Sequence, residues 1–574
     1  MLQIISGKLF FNETGRVNTL KGVLYTNLVA YNDIIHTAIG RLIPLSNLRN
    51  TGAIICEIDE HIQDPANEPG VIVSHGLEPF ITEFAAIISF TLNAVCTPNP
   101  DLAKRLTSEI AGIGITYPPK KYIKRIYENE IPIREQDSAF LESFTKKLID
   151  LPRTKYLVAI RAIRTYVTST HRMSDDLELA YTLLVASIES LAQKFDGHEA
   201  VWSDYAQEKK SVIDKALDAA DEHVAKKVRE AILRIEHVSL GKRFRSFSLD
   251  HLPESFFTDD VTGIDYPIGK LDLGEALRHA YDSRSNYIHE LLALPRELTS
   301  SEGRADSTII DNKTILTFQG LSRVARQVII EFVNRQEVVT KEPYDYRYET
   351  PGVMLVNLSP ELWITDATHI NQDSGQKILE GFLHIVSQSY KAGTSDPYPD
   401  LRSVLTKALA LLPNMNDKQK RPYLILCSLW NIFLKSEYHV EIESPEKYDD
   451  LINGPSIESL CAHAIVGHDT DWPIDQHQRI YFSYFKKRET PTGLRVLKEL
   501  EACMGLSLAE RFRRSGDDSA AREQLALVAD NHPKLKSLRD LINIYTPDLE
   551  ISWLKYIYPP RKPNMTATLD CEGL

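Results

Sequence analysis

The chain has 574 residues, of which 43% are hydrophobic and 25% are charged, and its formal net charge is -13. This length predicts about two to four domains, and the composition excludes disordered and fibrous classes. The acidic charge argues against a protein that coats nucleic acid nonspecifically, because its overall field repels phosphate.

The first part of the chain is predicted to be rich in β-strands. Runs of Val, Ile, Tyr and Phe separated by Gly and Asn are typical of strands, and they occur in LQIISGKLFF, LKGVLYTNLVAY, GAIICEI and GVIVSHG. One helix is expected around Pro79 to Cys96, and its apolar part is shorter than the ~20 residues that cross a bilayer. We expect no signal peptide and no membrane segment.

Helical periodicity follows Tyr117-Pro118-Pro119 and holds for most of the remaining length. The predicted helices are 138–149, 155–170, 176–195, 211–238, 273–294 and 317–336, then, after a linker at 341–352, 375–392, 401–412, 420–436 and 491–504. The expected fold class is α+β and mostly α. Its three predicted parts are a β-rich N-terminal domain (1–126), a helical bundle (127–340) and an irregular α-helical C-terminal domain (353–574).

Six cysteines are scattered without CxxC pairing, which predicts free thiols and a cytoplasmic protein. The cluster Cys461, His463, His468 and Asp469 contains metal-ligand residue types, but its spacing fits no common zinc module. We therefore expect neither a metal nor a cofactor.

A permanent charge in the predicted helix 273–294 calls for an explanation. Arg284 shares a helical face with apolar residues on either side of it in the sequence: Leu273, Leu277, Ala280, Tyr281, Ile288, Leu291 and Leu292. A guanidinium is almost never fully buried without an anionic partner.

Three explanations are open. The first is a structural salt bridge to Glu189, which lies on the flank of a matching apolar stripe in the predicted helix 176–195. The second is that the face meets a second copy of the chain and the arginine lines a groove between the copies. The third is that the missing partner is a substrate phosphate, which a guanidinium binds through two parallel hydrogen bonds.

His289 favours the third explanation. It lies about 140° around the helix from Arg284, at the polar edge of the stripe. A side chain of the histidine type can accept and return a proton near neutral pH, which suits general acid-base cleavage of a phosphodiester next to a 2′-hydroxyl, while arginine stabilises the transition-state oxygens.

The stretch from Tyr281 to His289, YDSRSNYIH, contains an R-x4-H motif and resembles the signature of the Apea-like branch of the HEPN superfamily. The segments LELAYTLLVASIESLAQ (177–193), SLGKRFRSF (239–247) and LTFQGLSRVARQVIIEFV (316–333) resemble other helices of that branch. The resemblance covers roughly 174–336 and includes the acidic residue of SIESL, Glu189. It identifies the predicted bundle as HEPN-like.

This resemblance implies a homodimer in which two motifs meet in a cleft, and a metal-independent endoribonuclease of phage defence or a regulated toxin. Carried over by position, Arg284 and His289 are the expected catalytic residues, and Asn286 is an expected substrate contact. The expected partners are an RNA substrate and a protein trigger or inhibitor. The alternative is a non-catalytic HEPN-like scaffold that binds RNA or dimerises.

Two basic segments interleave cations with aromatic rings, as in single-stranded RNA recognition. They are Lys242 to Phe247 and Lys120 to Arg125. The competing interpretation for each is a solvated basic surface without a ligand.

Overall fold

The computed structural model describes residues 1–29, 34–44, 52–64, 75–112, 114–195, 201–202, 205, 207–235, 240–300, 305–350, 358–393 and 398–559. The chain divides into a first unit, Met1–Leu355, and a second unit, Val356–Leu574. Most described residues are helical and a small sheet lies near the N-terminus, so the predicted α+β, mostly α class is confirmed. No helix in these ranges is long and apolar enough to span a membrane.

The strands of the first unit are β1 (Thr14–Thr26), β2 (Leu28–Val29), β3 (Ile35–Thr37), β4 (Gly40–Pro44), β5 (Gly52–Gln63), β6 (Cys96–Thr97), β7 (Ile131–Pro132), β8 (Ser307–Ile310) and β9 (Lys313–Leu316). Five of them form an antiparallel sheet in the order β3-β4-β5-β1-β6. The long pair β1 and β5 sets the register, with Leu20 opposite Ile58. β8 and β9 form a hairpin whose turn residues, Asp311 and Asn312, both have positive φ, as a type I′ turn requires.

The helices of the first unit are α1 (Leu2–Ile5), α2 (Glu78–Leu92), α3 (Pro100–Leu106), α4 (Pro119–Tyr122), α5 (Glu135–Ile149), α6 (Arg153–Arg172), α7 (Leu177–Phe195), α8 (Gln207–Leu217), α9 (Glu222–Ile235), α10 (Leu240–Asp250), α11 (Ser255–Thr258), α12 (Lys270–Glu290), α13 (Arg296–Ser300) and α14 (Phe318–Arg335). α7 lies at the centre and packs against α6, α10, α12 and α14. The side chains of the sheet, α2 and these helices form one continuous hydrophobic core. The predicted border between 126 and 127 therefore falls within a single compact unit.

The second unit is helical in its described part. Its helices are α15 (Gly375–Ala392), α16 (Arg402–Leu411), α17 (Asp417–Phe433), α18 (Asp449–Ile452), α19 (Ile457–Val466), α20 (Ile474–Lys487), α21 (Lys498–Arg514), α22 (Asp518–Asn531), α23 (Lys536–Ile544) and α24 (Trp553–Ile557). They enclose a core of their own. Five cysteines of the two units, Cys56, Cys96, Cys427, Cys461 and Cys503, are free and buried, while Cys571 lies outside the described residues.

Several predicted elements differ from the structure. The strand expected in LQIISGKLFF is wrong, because residues 2–5 form a helical turn with all four side chains buried. There the Gln3 amide donates to the carbonyls of Ile149 and Leu151. The single helix expected at 211–238 is two, α8 and α9, and α21 begins seven residues later than predicted. The strand expected in GVIVSHG lies largely outside the described residues.

Candidate functional site

The helix that carries the R-x4-H motif, α12, changes character along its length. Its first half is buried through Leu273, Ala276, Leu277 and Ala280. The helix ends at Glu290, four residues before the predicted bound at 294. Ile288, near this end, is 48% exposed, and Leu291 and Leu292, just beyond the helix, are 79% and 50% exposed. The stripe predicted around Arg284 therefore exists, but the expectation that it is buried throughout is wrong. Arg284 lies where the buried half gives way to the exposed half.

Arg284 is held by Glu189 of α7. Its Nη2 lies 2.8 Å from Glu189 Oε2, and the Glu189 side chain is only 6% exposed. The other carboxylate oxygen, Oε1, accepts a hydrogen bond of 3.2 Å from the Tyr281 hydroxyl. Tyr281 and Arg284 are three residues apart, so both reach the same acid from one face of α12. The structural salt bridge, the first of the three explanations, is thus present.

The pairing leaves part of the guanidinium available. The Arg284 side chain keeps 21% of its surface exposed. Its Nε is buried and has no hydrogen-bond partner among the described residues. A buried donor without a partner is uncommon in folded proteins and is a reason to look for an acceptor that the isolated chain does not supply.

Tyr281 is fixed by the start of α10. A Cβ at Gly241 would lie 3.0 Å from Tyr281 Cδ1, so a larger residue there would require the ring to shift by a few tenths of an ångström. The Phe244 ring of α10 also packs against the Tyr281 ring, with the two ring centroids 5.6 Å apart. Burial, followed by the neighbouring Glu189 charge, raises the pKa of Tyr281 to about 12, so its hydroxyl stays protonated and donates to Glu189. The R-x4-H motif alone does not indicate this role of Tyr281; the i, i+3 spacing of Tyr281 from Arg284 is the signal in the sequence that could have found it.

The other two predicted site residues, Asn286 and His289, lie on the exposed end of α12. His289 is in the last turn, before the helix ends at Leu291 in the left-handed conformation with φ 55. Five residues of helix separate Arg284 from His289 by about 140° and about 7.5 Å along the axis. The two side chains of one chain therefore point in different directions, and one copy alone does not bring them onto a common phosphate.

Acidic side chains surround this end of α12. Glu290 follows His289 and is exposed. Burial, then the carboxylates of Asp176 and Glu178, raise the pKa of Tyr287, which places negative charge from the first turn of α7 close to the motif. The local field is therefore mixed, with the Arg284 cation bordered by carboxylates.

The basic segment 242–247 does not present its rings to solvent. Phe244 is fully buried and Phe247 is 2% exposed, and both belong to the core of the first unit. The interpretation that these rings stack on RNA bases is wrong, because a base has no access to them. In the other basic segment, Tyr122 is 1% exposed and Lys120 pairs with Glu109 at 2.7 Å.

The metal-ligand residue types near Cys461 are not arranged as a metal site. The Cys461 thiol is buried 3.7 Å from the Met504 sulfur. Across the part of the chain that the structure describes, no group of three or more His, Cys, Asp and Glu residues is placed to hold an ion.

Arg284 is thus brought together with Glu189 and Tyr281, while Asn286 and His289 lie apart from this cluster on an exposed surface. The HEPN resemblance stays a prediction that depends on the motif and its flanking helices. No protein-family model, curated protein or solved structure matches the chain.

Proposed function

We propose that the chain is a metal-independent endoribonuclease of the HEPN type that acts as a homodimer, in phage defence or as a regulated toxin. The observation that carries this proposal is the uncovered apolar end of α12 beside the motif, formed by Ile288, Leu291 and Leu292. Leucine side chains are usually buried in folded proteins. A contiguous group of exposed apolar side chains therefore indicates an interaction surface.

A second copy of the chain suits this surface. Arg284 and His289 diverge around the helix axis within one copy, so a shared cleft between two copies is the arrangement that lets a histidine of one chain work beside an arginine of the other. Pairing two α12 ends also covers the apolar residues on both copies. We call the exposed group Ile288, Leu291 and Leu292 the α12 apolar end.

The proposed chemistry is transphosphorylation. One His289 imidazole takes the proton of the ribose 2′-hydroxyl, the 2′-oxygen attacks phosphorus, and the second His289 gives a proton to the leaving 5′-oxygen. Arg284 stabilises the charge on the non-bridging oxygens, and Glu189 and Tyr281 position its guanidinium. Asn286 contacts the substrate. A protein trigger or inhibitor that acts through the flanking parts of the chain belongs to the same proposal.

The test is cleavage of single-stranded RNA by the full chain in the presence of EDTA. His289→Ala is expected to abolish cleavage without altering thermal stability, since the side chain is exposed. His223→Ala is the matched control, because His223 is an exposed helical histidine away from α12. An active wild type whose cleavage survives in His289→Ala would refute the assignment, and so would a wild type that cleaves no RNA.

A non-catalytic HEPN-like scaffold that dimerises or binds RNA is the second candidate. Two observations favour it. The ion pair with Glu189 already neutralises much of the Arg284 charge, and carboxylates lie near the motif. Under this proposal the α12 apolar end still mediates dimerisation, whereas His289→Ala leaves both the dimer and the function intact.

A further inference from the structure

A second feature of the first unit lies away from α12. It is a pocket of about 440 Å³ between α14, the segment that follows α11, and the turn that precedes β7. Its charged lining residues are Lys124, Arg125, Glu128, Asp260, Arg323 and Arg326. Four cations against two carboxylates give a lining charge of +2 in a chain whose net charge is -13. A local excess of positive charge on an acidic protein concentrates anions at that place.

Arg326 of α14 is a cation that forms no ion pair with an acidic side chain of the described residues. Its Nε and Nη2 donate to the carbonyls of Phe90 and Thr91 at 2.9 and 2.7 Å, at the C-terminal end of α2. No carboxylate of the described residues lies within salt-bridge distance of it. Burial lowers the pKa of Arg326, because the guanidinium charge has lost water and has gained no neighbouring carboxylate in its place. The carbonyls orient the guanidinium but carry no full charge to neutralise it.

Arg323, one helical turn earlier, has one acidic partner. Its guanidinium lies 4.1 Å from the centre of the Phe256 ring, and Asp306 forms an ion pair of 3.5 Å with Nη1. Asp306 does not line the pocket, so the face of Arg323 that lines it keeps an excess of positive charge. The Nε of Arg323 is buried and has no hydrogen-bond partner in the described ranges. Since i and i+3 residues share a helical face, both arginines line one side of the pocket.

The remaining lining suits a small molecule. Neutral polar groups are supplied by the amides of Asn93, Gln319 and Gln327 and by Tyr166. The Tyr166 hydroxyl forms a buried 2.8 Å hydrogen bond with Ser322. Ile123, Phe256 and Ile264 supply apolar surface. The volume falls within the range of roughly 300–1,000 Å³ that is typical of small-ligand sites.

We propose that this pocket binds a small phosphorylated molecule, with the phosphate on Arg323 and Arg326 and the rest of the ligand against the amides and apolar side chains. Backbone carbonyls hold Nε and Nη2 of Arg326 and Nη2 of Arg323, which orients both guanidinium groups. Nη1 of Arg326 and the unpartnered Nε of Arg323 are the donors proposed to meet the phosphate, through charge-assisted hydrogen bonds. The volume of the pocket and the acidic charge of the whole chain favour a small anion over a nucleic acid. The site shares no residue with the proposed nuclease centre.

The experiment is isothermal titration calorimetry of the full chain with inorganic pyrophosphate at low ionic strength. We expect binding of one equivalent, and a loss of at least about 10-fold in affinity in Arg326→Gln, as the removal of a charge-assisted hydrogen-bond donor predicts. Arg335→Gln is the matched control. It lies on the same helix outside the pocket, paired at the surface with Glu331, and it should bind as the wild type does.

Two further variants keep the test decisive if Arg326→Gln fails to fold, because neither removes a structural contact. Lys124→Gln lowers the charge at the exposed rim, and Gln327→Trp narrows the pocket without changing its charge. Both are expected to weaken binding several-fold, and His289→Ala should leave it unchanged. Absence of pyrophosphate binding, equal binding by these variants, or displacement of pyrophosphate by an RNA oligonucleotide that lacks terminal phosphates would overturn the proposal.

Discussion

The carboxylate of Glu189 and the guanidinium of Arg284 form an ion pair of 2.8 Å between α7 and α12, in which the acid is nearly buried and the base is one-fifth exposed. This asymmetry gives the pair two roles. Glu189 requires a partner, since an isolated carboxylate at this depth is costly. Arg284 is fixed in place by Glu189 and still reaches the surface at the exposed end of α12.

Glu189→Gln is expected to lower the free energy of unfolding by about 2–3 kcal/mol. Removing one partner of a buried pair commonly costs about 3–5 kcal/mol, and the exposure of Arg284 reduces that figure. The Tyr281 hydroxyl keeps an acceptor in the amide oxygen, so the loss reports mainly on Arg284. Urea unfolding measures the change.

Glu275→Gln is the matched control for this variant. Glu275 pairs with Arg278 on the same helix, but both side chains are about half exposed, so we expect a much smaller change than in Glu189→Gln. Equal effects of the two variants would show that the Glu189 pair is no stronger than a surface ion pair.

Gly241→Ala is expected to destabilise the first unit by about 1–2 kcal/mol, because the new Cβ meets the Tyr281 ring at 3.0 Å and overpacks the contact. Gly274→Ala is the comparison. It lies inside α12, where the nearest atom to a new Cβ is 3.9 Å away, so the substitution should stabilise by about 0.5–1 kcal/mol. Thermal unfolding of both variants measures these changes in stability, which should have opposite signs. A Gly241→Ala variant more stable than the wild type would contradict the packing described for Tyr281.

Helical periodicity predicted the bundle closely, because each helix buries one face against a shared core. The bounds predicted for the helices at 155–170, 176–195, 317–336 and 375–392 agree with α6, α7, α14 and α15 within two residues at each end. The break between α8 and α9 was missed. It contains Ala219 and Ala220, which are strong helix formers, and the new helix begins where Asp221 accepts a hydrogen bond from His223 N.

The candidate site was predicted in part. Periodicity placed Arg284 and Glu189 on facing stripes, and the structure joins them. It could not show that Ile288, Leu291 and Leu292 lie uncovered, because a sequence pattern reveals which residues share a face and not whether another element covers it. The cationic pocket was missed for a related reason. Its members come from segments separated by more than 200 residues and follow no local pattern.

Leu291→Gly separates the stability of the chain from its association. Leu291 has φ 55 at the end of α12, a conformation that costs leucine about 1–2 kcal/mol and glycine little. The substitution should therefore stabilise the monomer by about 0.5–1 kcal/mol while it removes a side chain from the α12 apolar end. Analytical ultracentrifugation is expected to show a weaker dimer than in the wild type.

Leu271→Gly serves as the control for this effect, since Leu271 is 97% exposed in the first turn of the same helix, away from the motif. It should lower stability slightly and leave association unchanged. A dimer that tolerates Leu291→Gly together with Leu292→Asp would exclude the α12 apolar end as the interface.

The second unit is expected to lose stability in acid through His477. This side chain is fully buried, its Nε2 has no partner among the described residues, and burial, followed by the Arg511 charge, lowers its pKa to about 3. An unfolded histidine takes up its proton near pH 6.5, so the stabilising contribution is complete above that pH and decreases as the pH falls toward 3. Between pH 7 and 5 the loss is about 2 kcal/mol, because the slope approaches 1.36 kcal/mol per unit only below pH 6.5. Urea unfolding followed by tryptophan fluorescence measures it, since Trp363, Trp430, Trp472 and Trp553 lie in this unit.

His477→Gln should reduce this pH dependence, whereas His171→Gln, which removes a partly buried histidine of the first unit, should not. An unchanged slope in His477→Gln would show that the acid sensitivity of the second unit arises elsewhere.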